Sequence, residues 1–196
     1  MREYTVDWFS GNIPIFKGLL EKHLKLPRRK YLEIGSFEGL STNYLLDNFL
    51  IGEEDSIYCV DTWEGGQEHD MDMGEVERRF RTNIADHSQK VKIYKGNSYD
   101  KLLELNREHR DSFDFIYIDG SHDSWDVLSD LVLAWPLLKI GGIMGCDDYL
   151  WGGPMDINNR QEDDRRPQAA IDTFLFTHRR FYELLHLHGQ AWVKKK

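Results

Sequence analysis

The chain has 196 residues, 25 of them Lys or Arg and 34 Asp or Glu, for a formal charge of −9. That length fits one domain with small appendages, and the acidic balance argues against a broad electrostatic grip on nucleic acid or anionic lipid. An apolar content of 40%, with 13% aromatics, excludes a globally disordered chain.

Residues 1–29 read as an N-terminal helical segment, with helical spacing from Ile15 to Leu24 and Pro27 as its stop. From residue 30 strands and helices alternate. Lys30–Ile34 is a strand and Leu40–Leu50 a helix. Ser56–Val60 is a short strand closed by Asp61, and Glu75–His87 a helix carrying Val76, Phe80 and Ile84. Val91–Tyr94 (strand), Tyr99–His109 (helix), Phe113–Ile118 (strand) and Trp125–Leu138 (helix) repeat the pattern. Phe113–Ile118 is nearly all apolar, which predicts burial on both faces. Ile140–Cys146 is a fifth strand with a Gly-Gly turn at its start, and Pro167 opens a helix that runs to His178. Phe181–Leu187 and Gln190–Lys195 are joined across His188-Gly189 and must be antiparallel neighbours. The alternation predicts an α/β domain over residues 30–196: a mostly parallel sheet with helices on both faces and a terminal antiparallel hairpin. Ligand sites in such sheets lie beyond the carboxyl ends of the strands.

Candidate site residues fall at those ends. Glu33-Ile34-Gly35-Ser36-Phe37-Glu38-Gly39 runs from strand into helix as E-x-G-x-x-x-G. Gly35 permits the turn, and Gly39 is expected to let the helix start lie close to a ligand. Glu33 would repel a pyrophosphate but would accept hydrogen bonds, directly or through water, from an ammonium group. That disfavours a dinucleotide site. Asp61 is placed to hold ribose hydroxyls, and Gly96-Asn97-Ser98 to meet an adenine edge.

In this order, followed by Ile118-Asp119-Gly120-Ser121-His122, the motifs resemble the class I S-adenosylmethionine-dependent methyltransferases. The likeness covers about residues 30–196. The fourth- and fifth-strand motifs are similar to the branch holding the macrolide-sugar O-methyltransferases of the macrocin and mycinamicin type. The resemblance implies a Rossmann-like fold with a seven-stranded sheet. It also implies a cofactor site framed by Glu33, Gly35, Ser36, Gly39, Asp61, Thr62, Asn97, Ser98 and Asp119.

Asp119 after the fourth strand and Asp147-Asp148 after the fifth belong to neighbouring strand ends. Three carboxylates there repel one another unless protonated or neutralised, and a hard divalent cation such as Mg²⁺ is the simple remedy. The aligned acids of the family bind such an ion. The chemistry expected is methylation of a hydroxyl on a small molecule such as a sugar or sugar-containing metabolite, with His122 or Asp119 taking the proton. Trp63, Tyr149 and Trp151 are candidates for the acceptor wall. The run Thr62–Gln67, continuing through His69, Asp70, Met71, Asp72 and Met73, is expected in the acceptor loops, and Asp156–Arg166 is expected to be a solvated, mobile loop able to close as a lid.

With no large insertion, these loops and residues 1–29 must shape the acceptor pocket, or a partner subunit must deliver the acceptor, so a homo-oligomer stays open. The longest apolar stretch, Leu131–Cys146, is broken by Pro136 and Lys139 and too short to span a bilayer. Met1–Tyr4 holds no apolar signal region, and Cys59 and Cys146 read as reduced buried thiols, so a cytoplasmic location is expected. Two other readings are an NAD-dependent oxidoreductase on a similar sheet and a cofactor-binding protein without turnover.

Overall fold

The computed structural model describes residues 2–24, 29–65, 71–154 and 160–196. Its seven strands are β1 (Lys30–Ile34), β2 (Ser56–Asp61), β3 (Val91–Lys95), β4 (Phe113–Ile118), β5 (Leu138–Cys146), β6 (Tyr182–Leu187) and β7 (Ala191–Lys195). They form one sheet in the order β3-β2-β1-β4-β5-β7-β6, with β1 to β5 parallel and β7 antiparallel to both its neighbours. The chain winds outward from β1 to β3 and then crosses back to β4, so the topological switch point lies between β1 and β4.

The helices are α1 (Ile13–His23), α2 (Leu40–Asn48), α3 (Met73–Asn83), α4 (Ser98–Glu108), α5 (Ser124–Ala134) and α6 (Pro167–His178). Strand side chains alternate between two apolar clusters. Leu32, Ile34, Ile116 and Ile118 face one side, with Leu102 and Leu105 of α4, Val127 and Leu131 of α5, and Phe174 of α6. Tyr31, Phe115 and Tyr117 face the other, with Phe16 and Leu20 of α1, Leu45 and Leu46 of α2, and Val76 and Phe80 of α3. All six residues of β4 are buried, as the apolar run predicts for a central strand. No helix among the described residues is long and apolar enough to cross a membrane.

Several boundaries move for local reasons. Helix α3 starts before Glu75 because the Asp72 carboxylate caps it, accepting from the backbone N–H groups of Gly74 and Glu75. It stops at Asn83, and Ala85–His87 form a separate 3₁₀ turn. Helix α5 ends at Ala134, because Pro136 cannot continue the ladder and Trp135–Leu137 tighten into a 3₁₀ turn. Gly141 and Gly142 do not make a turn before β5. They lie inside the strand, with Gly141 at φ +81°, beside the register shift opposite Phe113/Phe115. Helix α1 begins two residues before Ile15, with Pro14 in its first turn; its expected stop, Pro27, lies outside the described residues.

The N-terminal segment is stitched to the rest. Glu3 and Asn83 exchange two hydrogen bonds of 2.8 Å. The buried Glu38 carboxylate accepts from the N–H and hydroxyl of Thr5 at 2.6 and 2.8 Å, and pairs with Arg79 at 3.0 Å.

Candidate functional site

Backbone bonds extend the parallel ladder one residue past each strand and fix the carboxyl edge. Gly35 N–H donates to Val60 O (2.9 Å), Asp119 N–H to Ile34 O (2.8 Å) and Asp147 N–H to Ile118 O (2.9 Å). Gly35, Asp119 and Asp147 are thereby set side by side. Three of the four described non-glycine residues with positive φ also lie at this edge: Phe37, Trp63 and Asp148. Such backbone strain persists only where the surroundings hold it.

The E-x-G-x-x-x-G loop is organised by two carboxylates. Glu33 is fully buried, and its oxygens accept from the hydroxyls of Ser36 (2.7 Å), Ser41 (2.6 Å) and Thr42. Burial raises its pKa, and those hydroxyls oppose the rise. Of the two expected ways for Glu33 to meet an ammonium group, directly or through water, this burial favours the indirect one. The carboxylate lies beneath the loop and reaches its surface only through the hydroxyls. Asp61 Oδ2 accepts from the N–H groups of Ser36 (2.8 Å) and Phe37 (2.9 Å), and Oδ1 from that of Trp63 (2.7 Å). Three of its roughly four lone-pair directions are filled, which leaves one for a ribose hydroxyl rather than a pair.

Gly39 has a reason besides the one expected. It has φ +80°, and a Cβ there would lie 2.9 Å from the Phe80 ring, so the close approach to α3 by itself calls for glycine. Trp63 is corrected. It is 3% exposed, packs on Phe80, and donates its indole N–H to Phe37 O, so it supports the loop from within. The Thr62 hydroxyl accepts from Glu64 N–H. The continuation through Gly66, Gln67, His69 and Asp70 lies outside the described residues.

Asn97 caps α4, its side chain accepting from Tyr99 N–H at 2.9 Å. Ser98 opens that helix close to Asp130, a carboxyl of α5 that is 2% exposed. Burial drives the Asp130 pKa up to about 7, and the Ser98 hydroxyl works against the rise. In the unfolded chain the same group titrates near 3.8. The folded state therefore binds the extra proton between those values. Stability from this source is full below about pH 4 and is lost as pH rises through 7. Asp130→Asn should remove that dependence. Relative to wild type, it should be roughly 3 kcal/mol more stable at pH 8 than at pH 4, measured by urea unfolding at both pH values.

At the other end of the edge, the three acids adjoin. Asp119 is pushed well above the usual carboxylate range by burial and by the charges of Asp147, Asp148 and Glu33. Asp147 is raised by burial and Asp148, and is drawn down by Tyr117, the Asp148 amide and Gln190. Asp147 Oδ2 accepts from the Tyr117 hydroxyl and from Asn12 Nδ2 (3.0 Å), and Oδ1 accepts from Asp148 N–H (2.8 Å). Asp148 Oδ2 lies 3.0 Å from His122 Nε2, and the His122 ring stacks on Trp151 with centroids 4.2 Å apart. Mutual repulsion among three carboxylates is the chemistry that suits a hard divalent cation. Among the described residues, however, no three such groups already converge on one point, so closing on a cation requires side-chain rotation.

Tyr149 turns away from the acids. Its hydroxyl donates to Asp172 of α6 at 2.9 Å, and its ring packs on the core beneath that helix, so it does not join Trp151 in an acceptor wall. Residues 156–159 of the expected lid lie outside the described residues. The remainder is tied down: Arg165 pairs with Asp123 (3.1 Å), and Ser124 N–H donates to Arg165 O (2.9 Å). Cys59 and Cys146 are free and buried.

Three site residues escape sequence reasoning. Tyr117 is hidden in an apolar strand, where its hydroxyl was the available signal. Gln190 is a polar residue in a strand-like run. Asn12 offers no local signal, because its partner Asp147 is 135 residues away.

The model of the methyltransferase-domain family matches residues 32–149, more than half the chain. A Dictyostelium discoideum protein described as a probable caffeoyl-CoA O-methyltransferase 3 is 29% identical over 166 residues, which is 83% of this chain and 58% of that protein. The chain spans about half the length of the curated relatives it matches. Among solved structures, the O-methyltransferase from Bacillus cereus in complex with SAH superposes with a TM-score of 0.68 at 21% identity, covering 98% of this chain and 84% of that one. MycE methyltransferase of the mycinamycin pathway, in complex with Mg, SAH and mycinamycin VI, gives a TM-score of 0.64 at 15% identity, covering 97% and 50%. These likenesses show the Rossmann-like methyltransferase fold, with its antiparallel C-terminal strands. The chain belongs to the methyltransferase-domain family.

Proposed function

We propose that this chain is an S-adenosylmethionine-dependent O-methyltransferase that methylates a hydroxyl of a small molecule, such as a sugar or sugar-containing metabolite. The observation that carries the reading is the adjacency at the switch point. The glycine loop that would cradle the cofactor is bonded directly to the strand end that presents Asp119, with Asp147, Asp148 and His122 next to it. The complexes of the two solved neighbours, one with SAH and one with Mg, SAH and mycinamycin VI, support the cofactor. The macrocin-like branch is part of the proposal. Family membership removes the NAD-dependent reading.

Methyl transfer from a sulfonium is an in-line displacement, so the acceptor oxygen must be held about 3 Å from the methyl carbon. Trp151 supplies a flat wall for the acceptor ring. His122 takes the hydroxyl proton at Nε2, since Nδ1 is buried, and the imidazolium N–H so formed donates to the Asp148 carboxylate 3.0 Å away. Asp119, whose proton is favoured in the cation-free site by burial and by the charges of Asp147, Asp148 and Glu33, would give it up on taking a cation, so it is read as a ligand and not as the base. Asp119, Asp147 and Asp148 would hold a Mg²⁺ ion, which when bound lowers the pKa of an acceptor hydroxyl.

The test is transfer of a labelled methyl group from S-adenosylmethionine to a panel of catechols and hydroxylated sugars, with and without Mg²⁺. Wild type should label an acceptor, and His122→Ala should be slower by roughly 10²–10⁴-fold. Binding of cofactor with no transfer to any acceptor would favour a binding protein without turnover.

A further inference from the structure

A buried hydrogen-bond chain runs from β7 to Asp147, and its direction is set by chemistry. The Trp192 indole N–H can only donate. It is fully buried and donates to Gln190 Oε1 at 2.9 Å. With its oxygen committed there, Gln190 turns Nε2 to the Tyr117 hydroxyl oxygen at 3.2 Å. That oxygen is thereby an acceptor from Gln190, so its hydrogen goes to Asp147 Oδ2.

The fold makes room for this chain at one position. Gly145 pairs with Tyr117 on one side and Trp192 on the other. A Cβ on Gly145 would lie 3.0 Å from the indole. Without it, Trp192 lies flat beside Phe115, with centroids 5.4 Å apart and planes 11° from parallel. Asn12 adds a second donor to Asp147 Oδ2. Both lone pairs of that oxygen are then filled from inside the protein. Oδ1 accepts from Asp148 N–H and, with two lone pairs, has a second direction to offer at the edge.

We propose that Tyr117 and Gln190, directed by Trp192, are positioning residues that fix which oxygen of Asp147 is presented at the carboxyl edge. The inference rests on the reading of Asp147 as one of the acids that serve methyl transfer. Partners of this kind orient ligating carboxylates, and their loss typically costs about 10–100-fold in metal affinity.

The experiment uses Mn²⁺ as a probe, titrated into the SAH-loaded protein and followed by water-proton relaxation, for wild type, Tyr117→Phe and Gln190→Leu. Each variant should weaken Mn²⁺ binding about tenfold or more, with SAH affinity within about twofold. The double variant should be little worse than either single one, because the two residues act in series. Unchanged or tighter Mn²⁺ binding in Tyr117→Phe, with SAH affinity intact, overturns the proposal. If wild type takes up SAH but no Mn²⁺, the metal part of the proposed function fails. The hydrogen-bond chain is then judged by urea unfolding of Tyr117→Phe, Asp147→Ala and the pair. An interaction of about fivefold or more in the unfolding constant upholds it, and additive effects overturn it.

Discussion

Gly35→Ala is expected to cost more than about 4 kcal/mol of stability, enough to unfold much of the protein at 37 °C. An added Cβ would lie 1.9 Å from the carbonyl oxygen of Asp119 and 2.5 Å from its carbonyl carbon. Neither atom can retreat, because Asp119 N–H is bonded to Ile34 O and Gly35 N–H to Val60 O. The residue also sits at φ +82°, where any side chain adds strain. Two other glycines provide the contrast in urea unfolding followed by circular dichroism. Gly39→Ala meets side chains, the Phe80 ring at 2.9 Å and Ile84 at 3.6 Å, and no backbone atom, so with its left-handed φ the loss should be about 2–3 kcal/mol. Gly18→Ala, inside α1 with nothing within 4 Å of the new Cβ, should stabilise by about 0.5–1 kcal/mol. Equal losses at all three positions would contradict the packing argument.

Phe16→Ala should cost about 3–5 kcal/mol. Phe16 is fully buried and meets Phe9, Tyr117 and Trp192 edge-on, with centroids 4.8–4.9 Å apart. Its removal leaves a cavity beneath the strand that carries Tyr117 and loosens the segment that brings Asn12 to Asp147. For a chain of this size, the change corresponds to a fall of about 10 °C in Tm, measured by thermal unfolding. Limited proteolysis should open residues 2–24 first. Loss of the N-terminal segment with no change in Tm would contradict the view that α1 belongs to the core.

The alternating elements were legible because this fold writes them plainly. A nearly all-apolar β4, a β1 bounded by basic residues and Gly35, and an α6 opened by Pro167 have the bounds expected from sequence. Boundaries slipped where a local device had two readings. Asp72 looks like any loop acid until it caps α3, and Gly141-Gly142 looks like a turn until the register shift shows a bulge. The site was legible as a set of strand ends, since register alone places Gly35, Asp61, Asp119 and Asp147 along one edge. Side-chain direction was not. Trp63 and Tyr149 have the same aromatic character as Trp151, but the first is buried on Phe80, the second is bonded to Asp172, and only the third stacks on His122. Glu33 was read as a ligand group because nothing in the sequence shows that Ser36, Ser41 and Thr42 close over it.

The most direct measurement is calorimetric titration of S-adenosylhomocysteine into the protein, followed by Mg²⁺ into the complex, with the Asp147→Ala/Asp148→Ala variant in parallel. The proposed function predicts saturable binding of S-adenosylhomocysteine to both proteins, and Mg²⁺ binding to wild type that the variant loses. No binding of S-adenosylhomocysteine to a folded wild-type protein that does bind NADH would contradict it.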